Sequence, residues 1–332
     1  MSLPLRYPFP PMEAESVPVL PEGREWQYEP KWDGFRSLAF RDGKAVRLQS
    51  KSGKPLGRYF PDVVESLAEL EAARFVLDGE IVIRVDGHLS FDELLLRVHP
   101  AASRVRTLVA AHPAHLMVFD LLVDERGRSL VGRSLAERRE RLEAFARRYF
   151  PRRGAIVLSR ASRRTRTAQN WLAGGSSDLD GVVAKRLDLP YRSGERDGMV
   201  KVKRRRTADC VVGGYRYASK GGGIGSLLLG LYDEEGLLDH VGFCSSLPTS
   251  ERRGLKEKLE NLRRPPGFTG RSPGGPSRWS TERSAEWEPL APKLIVEVEY
   301  DHVSNDRFRH GTRFVRWRPD KAPRQCTTEQ LR

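Results

Sequence analysis

The sequence predicts an α+β domain with antiparallel sheets over residues 1–203, followed by an all-β domain over residues 204–332. Length, pattern and composition each point that way. At 332 residues the chain exceeds what one core ordinarily organises, because domains hold ~100–200 residues each. Strand-like and helical runs mix in the first part. Past the basic run Lys201-Val202-Lys203-Arg204-Arg205-Arg206 the pattern becomes strands with one inserted helix. Hydrophobic residues, 39% of the chain, suffice to fill two cores.

The elements follow in chain order. Pro8, Pro10, Pro11, Pro18 and Pro21 predict an extended arm lying on the first domain. Phe35–Phe40 and Ala45–Gln49 flank Arg41-Asp42-Gly43-Lys44, a hairpin signal. Pro61 opens a helix carrying Val64, Leu67 and Leu70 on one face. Phe75–Arg84 and Leu116–Val123 read as buried strands. Ser134 and Glu137 form a capping box, and Leu135, Leu142, Phe145 and Tyr149 continue that helix. In the second domain the expected strands are Asp209–Tyr217, Ser226–Asp233, Leu237–Ser245, Leu294–His302 and Phe314–Arg318. Between the third and fourth, Ser250 caps a helix with Leu255, Leu259 and Leu262 on one face. That order matches an OB-fold, a barrel that commonly binds nucleic acid. Lys220-Gly221-Gly222-Gly223-Ile224-Gly225 lacks the GxxxxGK[ST] pattern of a phosphate loop and reads as a hairpin turn. Arg263 to Pro292, dense in Pro, Gly and Ser, reads as a long mobile surface loop.

The net charge of +14 points to a polyanionic partner, nucleic acid before an acidic membrane face. No apolar run reaches the ~18 residues of a membrane span, and Met1–Arg6 lacks the apolar stretch of a secretory signal. Cys210, Cys244 and Cys326 lie too far apart for a CxxC metal site or a disulfide framework, which fits a reducing cytoplasm.

Glu29-Pro30-Lys31-Trp32-Asp33-Gly34-Phe35-Arg36 contains KxDGxR. Taken by itself this could be a charged turn with Gly34 at positive φ. An ordered series follows: Asp78-Gly79-Glu80, Phe119-Asp120, Asp180-Gly181-Val182-Val183-Ala184-Lys185, Lys201-Val202-Lys203 and Arg318-Pro319-Asp320-Lys321. With these residues the chain resembles the ATP-dependent DNA ligases of the covalent nucleotidyltransferase superfamily, from about Pro11 to Lys321. Trp26–Gly34 and Arg309–Lys321 narrow the resemblance to the bacterial (actinobacterial) LigC type, an adenylation domain plus an OB domain.

The resemblance implies a nucleophile, Lys31, that carries AMP from ATP covalently. An amine attacks phosphorus only when deprotonated, and neighbouring cations disfavour its proton; arginine could not serve. Lys185, Lys201, Lys203 and a metal ion, Mg²⁺ or Mn²⁺, are expected around the same phosphate. By the same resemblance Arg36 holds the ribose, Glu80 accepts the ribose hydroxyl, Phe119 stacks on adenine, and Glu29 with the Pro30 backbone reads its exocyclic amine. Asp180 binds the metal through carboxylate oxygen, with Glu80 as a second metal residue. Considered singly, Phe119 reads as core and Glu80 as a surface carboxylate. Arg318, Asp320 and Lys321 orient the pyrophosphate leaving group. Two positions depart from the family pattern: Asp180 stands where ligases usually have glutamate, and Lys51 where they usually have arginine. Arg163 and Arg164, and Arg204, Arg205 and Arg206, are expected to contact DNA phosphates, against the plainer reading of solvated charge runs.

The implied partner is nicked double-stranded DNA, gripped weakly on a simple nick, with repair proteins as further partners and no membrane. The expected molecule is a monomer in the cytoplasm, at the bacterial nucleoid. An RNA ligase or capping guanylyltransferase shares the motif chemistry, and Asp180 keeps the capping alternative open. A non-catalytic OB-type nucleic-acid binder is the other alternative.

Overall fold

The structure is a computed structural model that describes residues 3–174, 179–219, 222–252, 254–274 and 286–331. The chain divides into two compact units, Met1–Arg204 and Arg205–Arg332.

The first unit contains two sheets. One runs Ala45–Ser50, Phe35–Asp42, Arg74–Val85, Ala114–Val123 and Ile156–Leu158 in spatial order, antiparallel except for the last pairing. The other runs Glu15–Ser16, Met199–Lys203, Leu179–Arg186 and Trp26–Trp32. Strand periodicity is used on both faces of the larger sheet. Phe75, Leu77 and Ala39 point into a core with Val63 and Leu67 of helix Pro61–Ala68 and Leu142 and Phe145 of helix Leu135–Tyr149. Val76, Leu38 and Phe40 point the other way, against Met199, Tyr191 and the N-terminal arm. The hairpin closes at Gly43-Lys44, with Asp42 opposite Ala45 and Gly43 at φ 62°. Helix Pro61–Ala68 stops before Leu70, and Val63 is buried more fully than the expected Val64. The capping box of Ser134 and Glu137 is present as expected.

The arm packs Leu3, Leu5, Tyr7, Phe9 and Met12 on the first unit, and Glu15–Ser16 adds a parallel strand beside Met199–Lys203. A buried ion pair joins helix to sheet: Arg138 Nε and Nη2 donate to the two carboxylate oxygens of Asp120 at 2.9 and 3.0 Å. Such a pair fixes position more than it stabilises, because both ions give up their hydration.

In the second unit Ile224–Tyr232, Leu238–Ser246, Thr312–Trp317, Ile295–Tyr300 and Arg206–Tyr217 pair in sequence, and the last pairs again with the first. The ring is closed, as the OB pattern requires. Two expectations are corrected. The inserted helix is two short ones, Thr249–Arg252 and Leu255–Glu260, separated at Gly254 (φ 70°), so Ser250 lies inside the first and caps nothing. Arg263 to Pro292 is not simply a surface loop: Phe268 and Leu290 are buried, and Glu288–Pro289 pairs with Gly214 and Tyr215. Within it, residues 275–285 lie outside the described residues. Of the glycine-rich turn, Lys220 and Gly221 lie outside them too, and Ala218 N donates to Gly223 O across the hairpin.

Gly181 is the tightest point of the smaller sheet. Its φ is 148°, and a Cβ there would stand 2.1 Å from Val202 O. Gly132 in the same unit has nothing within 4 Å of the same position. Gly181→Ala is therefore expected to cost the first unit about 2 kcal/mol or more, seen by calorimetry as a lower transition. Gly132→Ala should leave that transition unchanged or slightly higher.

Candidate active site

Trp26–Trp32 pairs antiparallel with Leu179–Arg186, placing Lys31 opposite Gly181 and Glu29 opposite Val183. The register then skips, Trp32 facing Leu179, so that Asp180 is the extra residue of a bulge. Its carboxylate accepts a hydrogen bond from Lys31 Nζ. After Trp32 the chain turns at Asp33-Gly34 and passes against the larger sheet. A Cβ on Gly34 would lie 2.2 Å from Ile81 O, so close approach, rather than a positive φ, demands glycine.

Beside Lys31 a chain of paired charges encloses an aromatic ring. Glu29, 2% exposed, accepts from Lys185 Nζ at 2.7 Å and from Gln27 Nε2 at 2.8 Å. Lys185 Nζ lies 4.4 Å from the centre of the Phe119 ring, and the Arg36 guanidinium 4.7 Å from it. Phe119 is also a bulge residue: Val118 faces Gly79 and Asp120 faces Asp78, leaving Phe119 unpaired and turned to the cleft. Arg36 is held bidentately by Asp78 at 2.6 and 2.7 Å, and Asp78 also accepts from Tyr191 Oη at 2.7 Å. Burial would lower the Arg36 guanidinium pKa, but Asp78 more than offsets this and the net shift is upward.

Lys31, Glu29, Pro30, Arg36, Lys51, Glu80, Phe119, Lys185 and Lys201 line one cleft, together with Pro11, Met12 and Glu13 of the arm. Glu80 is pushed up to about 7 by burial, against the opposing charges of Arg36 and Lys31. Burial lowers the Lys201 ammonium, and Lys31, Lys51, Lys203 and Arg196 add to it in that order. Lys203 is on the same strand as Lys201 but does not line the cleft. The direct partner of Lys31 is thus a carboxylate, and Lys201 is a cation whose charge reaches it.

A divalent cation fits the donor set by its chemistry. The carboxylates of Asp33 and Asp180 lie within 4.8 Å of one another, and hard oxygen donors suit Mg²⁺ or Mn²⁺. Asp33, Asp78, Tyr191, Gln27 and Met12 were missed in the sequence reading. Asp33 and Asp78 stood inside quoted motifs, whereas Tyr191 and Met12 carried no local signal.

In the second unit Arg318, Asp320 and Lys321 converge on one another and on Asp209. Arg318 Nη1 donates to both Asp209 oxygens at 2.8 and 2.9 Å, Arg318 Nη2 to Asp320 at 2.8 Å, and Lys321 Nζ to Asp209 at 2.6 Å. The Arg318 contact holds the Asp320 carboxyl down at about 2. Arg205 is paired with Glu299 at 2.7 Å, and Arg206 begins the strand facing Ile295–Tyr300. In the first unit Arg204 N donates to Asp180 O at 2.9 Å. Arg163 and Arg164 are exposed, immediately ahead of helix Thr165–Leu172.

A lysine amine and a carboxylate face each other in a cleft that also holds an aromatic ring close to two cations, which suits an aromatic nucleotide and phosphoryl transfer to nitrogen. Comparison with known proteins agrees. Residues 11–203 match the family model described as ATP dependent DNA ligase domain, and residues 220–321 that of ATP dependent DNA ligase C terminal region. The chain is 44% identical to DNA ligase C1 of Mycolicibacterium smegmatis, covering 100% of this chain and 96% of that protein. It is 41% identical to DNA ligase C of Mycobacterium tuberculosis, over 100% and 96%. Among solved structures, a mycobacterial DNA ligase D complexed with ATP and MES is 29% identical, with a TM-score of 0.51, covering 96% of this chain and 98% of that one. A Lig E DNA ligase at 16% identity and a TM-score of 0.55 shares the fold. The chain belongs to the ATP-dependent DNA ligase family, in its LigC type.

Proposed function

We propose that this ligase seals nicks in double-stranded DNA, with Lys31 as the nucleophile and the cleft around Phe119 as its nucleotide site. The observation that carries the reading is the Lys31 amine lining the cleft, set by strand register beside Asp180. Lys31 Nζ attacks the α-phosphorus of ATP, the bond to the β-phosphate breaks, and pyrophosphate leaves. A 5′-phosphate oxygen at the nick then attacks the lysyl-AMP phosphorus and breaks the N–P bond. Finally the 3′-hydroxyl attacks the 5′-phosphorus, AMP departs, and the strand is joined. The covalent carrier activates an otherwise inert phosphate.

Phe119 stacks on the adenine, and Glu29, fixed by Lys185 and Gln27, reads its edge together with the Pro30 backbone. Arg36, immobilised by Asp78, holds the ribose side with Glu80. Lys185, Lys201 and Lys203 stabilise phosphate charge, and Arg318, Asp320 and Lys321 orient the pyrophosphate. A divalent ion, Mg²⁺ or Mn²⁺, would be held by Asp180 with Asp33 or Glu80, and would supply charge neutralisation on the phosphate. Lys51 contacts phosphate, and Arg163, Arg164, Arg204, Arg205 and Arg206 contact the DNA backbone without reading sequence. We place the protein as a monomer in the cytoplasm, at the nucleoid, acting in DNA repair with repair proteins as partners. No helix among the described residues is long and apolar enough to cross a membrane.

With radiolabelled nucleotide, ATP is expected to label the protein; labelling by GTP alone would point to a capping enzyme instead. Lys31→Ala should abolish sealing from ATP while keeping part of the sealing of pre-adenylated nicks; equal loss on both substrates would contradict the role. Phe119→Ala should raise the KM for ATP about tenfold, as loss of one stacking contact does, with sealing of pre-adenylated nicks much less affected.

A further inference from the structure

Four residues from three parts of the first unit close a ring of hydrogen bonds beside the cleft. Met12 N donates to Tyr191 Oη at 3.0 Å, and Tyr191 Oη donates to Asp78 Oδ2 at 2.7 Å. Arg36 Nη2 donates to that same oxygen at 2.7 Å and again to Met12 O at 3.3 Å, while Arg36 Nε holds Asp78 Oδ1 at 2.6 Å. Met12 belongs to the arm, and Arg36 and Asp78 to the paired strands Phe35–Asp42 and Arg74–Val85. Tyr191 lies in the connection between Leu179–Arg186 and Met199–Lys203. It is buried and held by more than its hydroxyl. Its N donates to Val131 O at 2.9 Å, its ring stacks on Phe9 with centres 6.3 Å apart, and the Arg138 guanidinium lies 5.5 Å from the ring centre.

A guanidinium carries one N–H on Nε and two on each Nη nitrogen. The contacts to Asp78 and Met12 use Nε and both hydrogens of Nη2, whereas Nη1 has no partner among the described residues. Arg36 lines the cleft, so Nη1 is the edge left for a ligand. A bidentate pair fixes Arg36 relative to Asp78 but lets the two pivot together; a third contact from a separately anchored segment stops the pivot. We propose that Tyr191 is a positioning residue for the adenylation step: by tying Asp78 to Met12 it turns Arg36 so that Nη1 is presented to the nucleotide. The proposal rests on the nick-sealing reading, in which Arg36 holds the ribose side of ATP, and adds a residue that does not itself line the cleft. Burial, and then the charge of Asp78, push the Tyr191 phenol well above its ordinary range, so it stays protonated and donates at neutral pH. A guanidinium already aimed loses less freedom when the nucleotide arrives, which favours binding.

Self-adenylation of the full chain by labelled ATP tests this in the wild type, Tyr191→Phe, Arg36→Lys and the double variant. Tyr191→Phe keeps the ring that meets Phe9 and Arg138 and removes only the hydroxyl. It is expected to raise the half-saturating ATP concentration about tenfold, as loss of one buried hydrogen bond to a charged group does, and to change the rate at saturation by less than about threefold. Half-saturation does not depend on the fraction of protein folded, so a variant that only folds less well loses yield and keeps the wild-type value. Arg36→Lys keeps a cation beside Asp78 but has no Nη1 edge to orient, so adding Tyr191→Phe to it should move half-saturation by less than about twofold. The proposal falls if Tyr191→Phe alone stays within about twofold of the wild type. It falls equally if the rise recurs undiminished in the Arg36→Lys background, because Tyr191 then acts on the fold and not through Arg36. Wild-type protein that takes no label from ATP overturns the nick-sealing reading and the proposal with it. Labelled wild type beside an unchanged Tyr191→Phe overturns the proposal alone.

Discussion

The antiparallel pairing of Trp26–Trp32 with Leu179–Arg186 sets the geometry of the whole cleft. Side chains alternate along a strand, so a slip of one residue would turn Lys31 and Glu29 away from it. With the observed register, Lys31 reaches Asp180 and Glu29 reaches Lys185 across the same two strands. Gly181 lets the third strand come close behind, and the skipped pairing beside it swings Asp180 out of the ladder. The larger sheet contributes Phe119, left unpaired at a bulge of its own, with its ring close to the two cations. The bulge beside Gly181 thus aims Asp180, a side chain that ordinary alternation would turn away from Lys31.

Charge in the cleft is prepaid by partners inside the protein. Arg36 has Asp78, Lys185 has Glu29, Lys51 has Glu13 and Lys31 has Asp180. Burying Glu29 with Lys185 carries a desolvation cost that a well-packed apolar pair would avoid, so the retained charges are explained by position and chemistry better than by stability. The partners differ in permanence. Asp78 is fully buried and grips Arg36 with both oxygens, which fixes the guanidinium over Phe119. Glu13 and Lys51 sit at the lip where water screens them. Asp180 stands between these cases: its carboxylate is buried, yet the contact with the Lys31 amine must be given up before that nitrogen can turn to phosphorus.

Much of this was legible in the sequence where one local signal had one physical meaning. The Ser134–Glu137 box, the hairpin at Gly43 and the five barrel strands depend on neighbouring residues alone, and they appear at nearly the expected places. The family, its fold and the order of motifs were legible because chemistry restricts the residue types that can serve. The inserted helix of the barrel was misjudged because Gly254 separates the expected cap at Ser250 from the apolar face that begins at Leu255. Phe268 and Leu290 were taken for loop because Pro and Gly around them outweighed two isolated apolar residues. The supports of the site were invisible for another reason. Tyr191 reaches Asp78 over 113 positions, and Arg196 meets Glu13 over 183, contacts that only the folded chain creates.

The central claim is that the amine of residue 31 is the group that becomes bonded to phosphorus. Peptide mapping by mass spectrometry after incubation with ATP tests it most directly. The account predicts a single adenylyl group, labile to acid and stable to base, on the peptide that contains Lys31. An adenylyl group on another residue, or an unmodified Lys31 in protein that is sealing nicks, would contradict it.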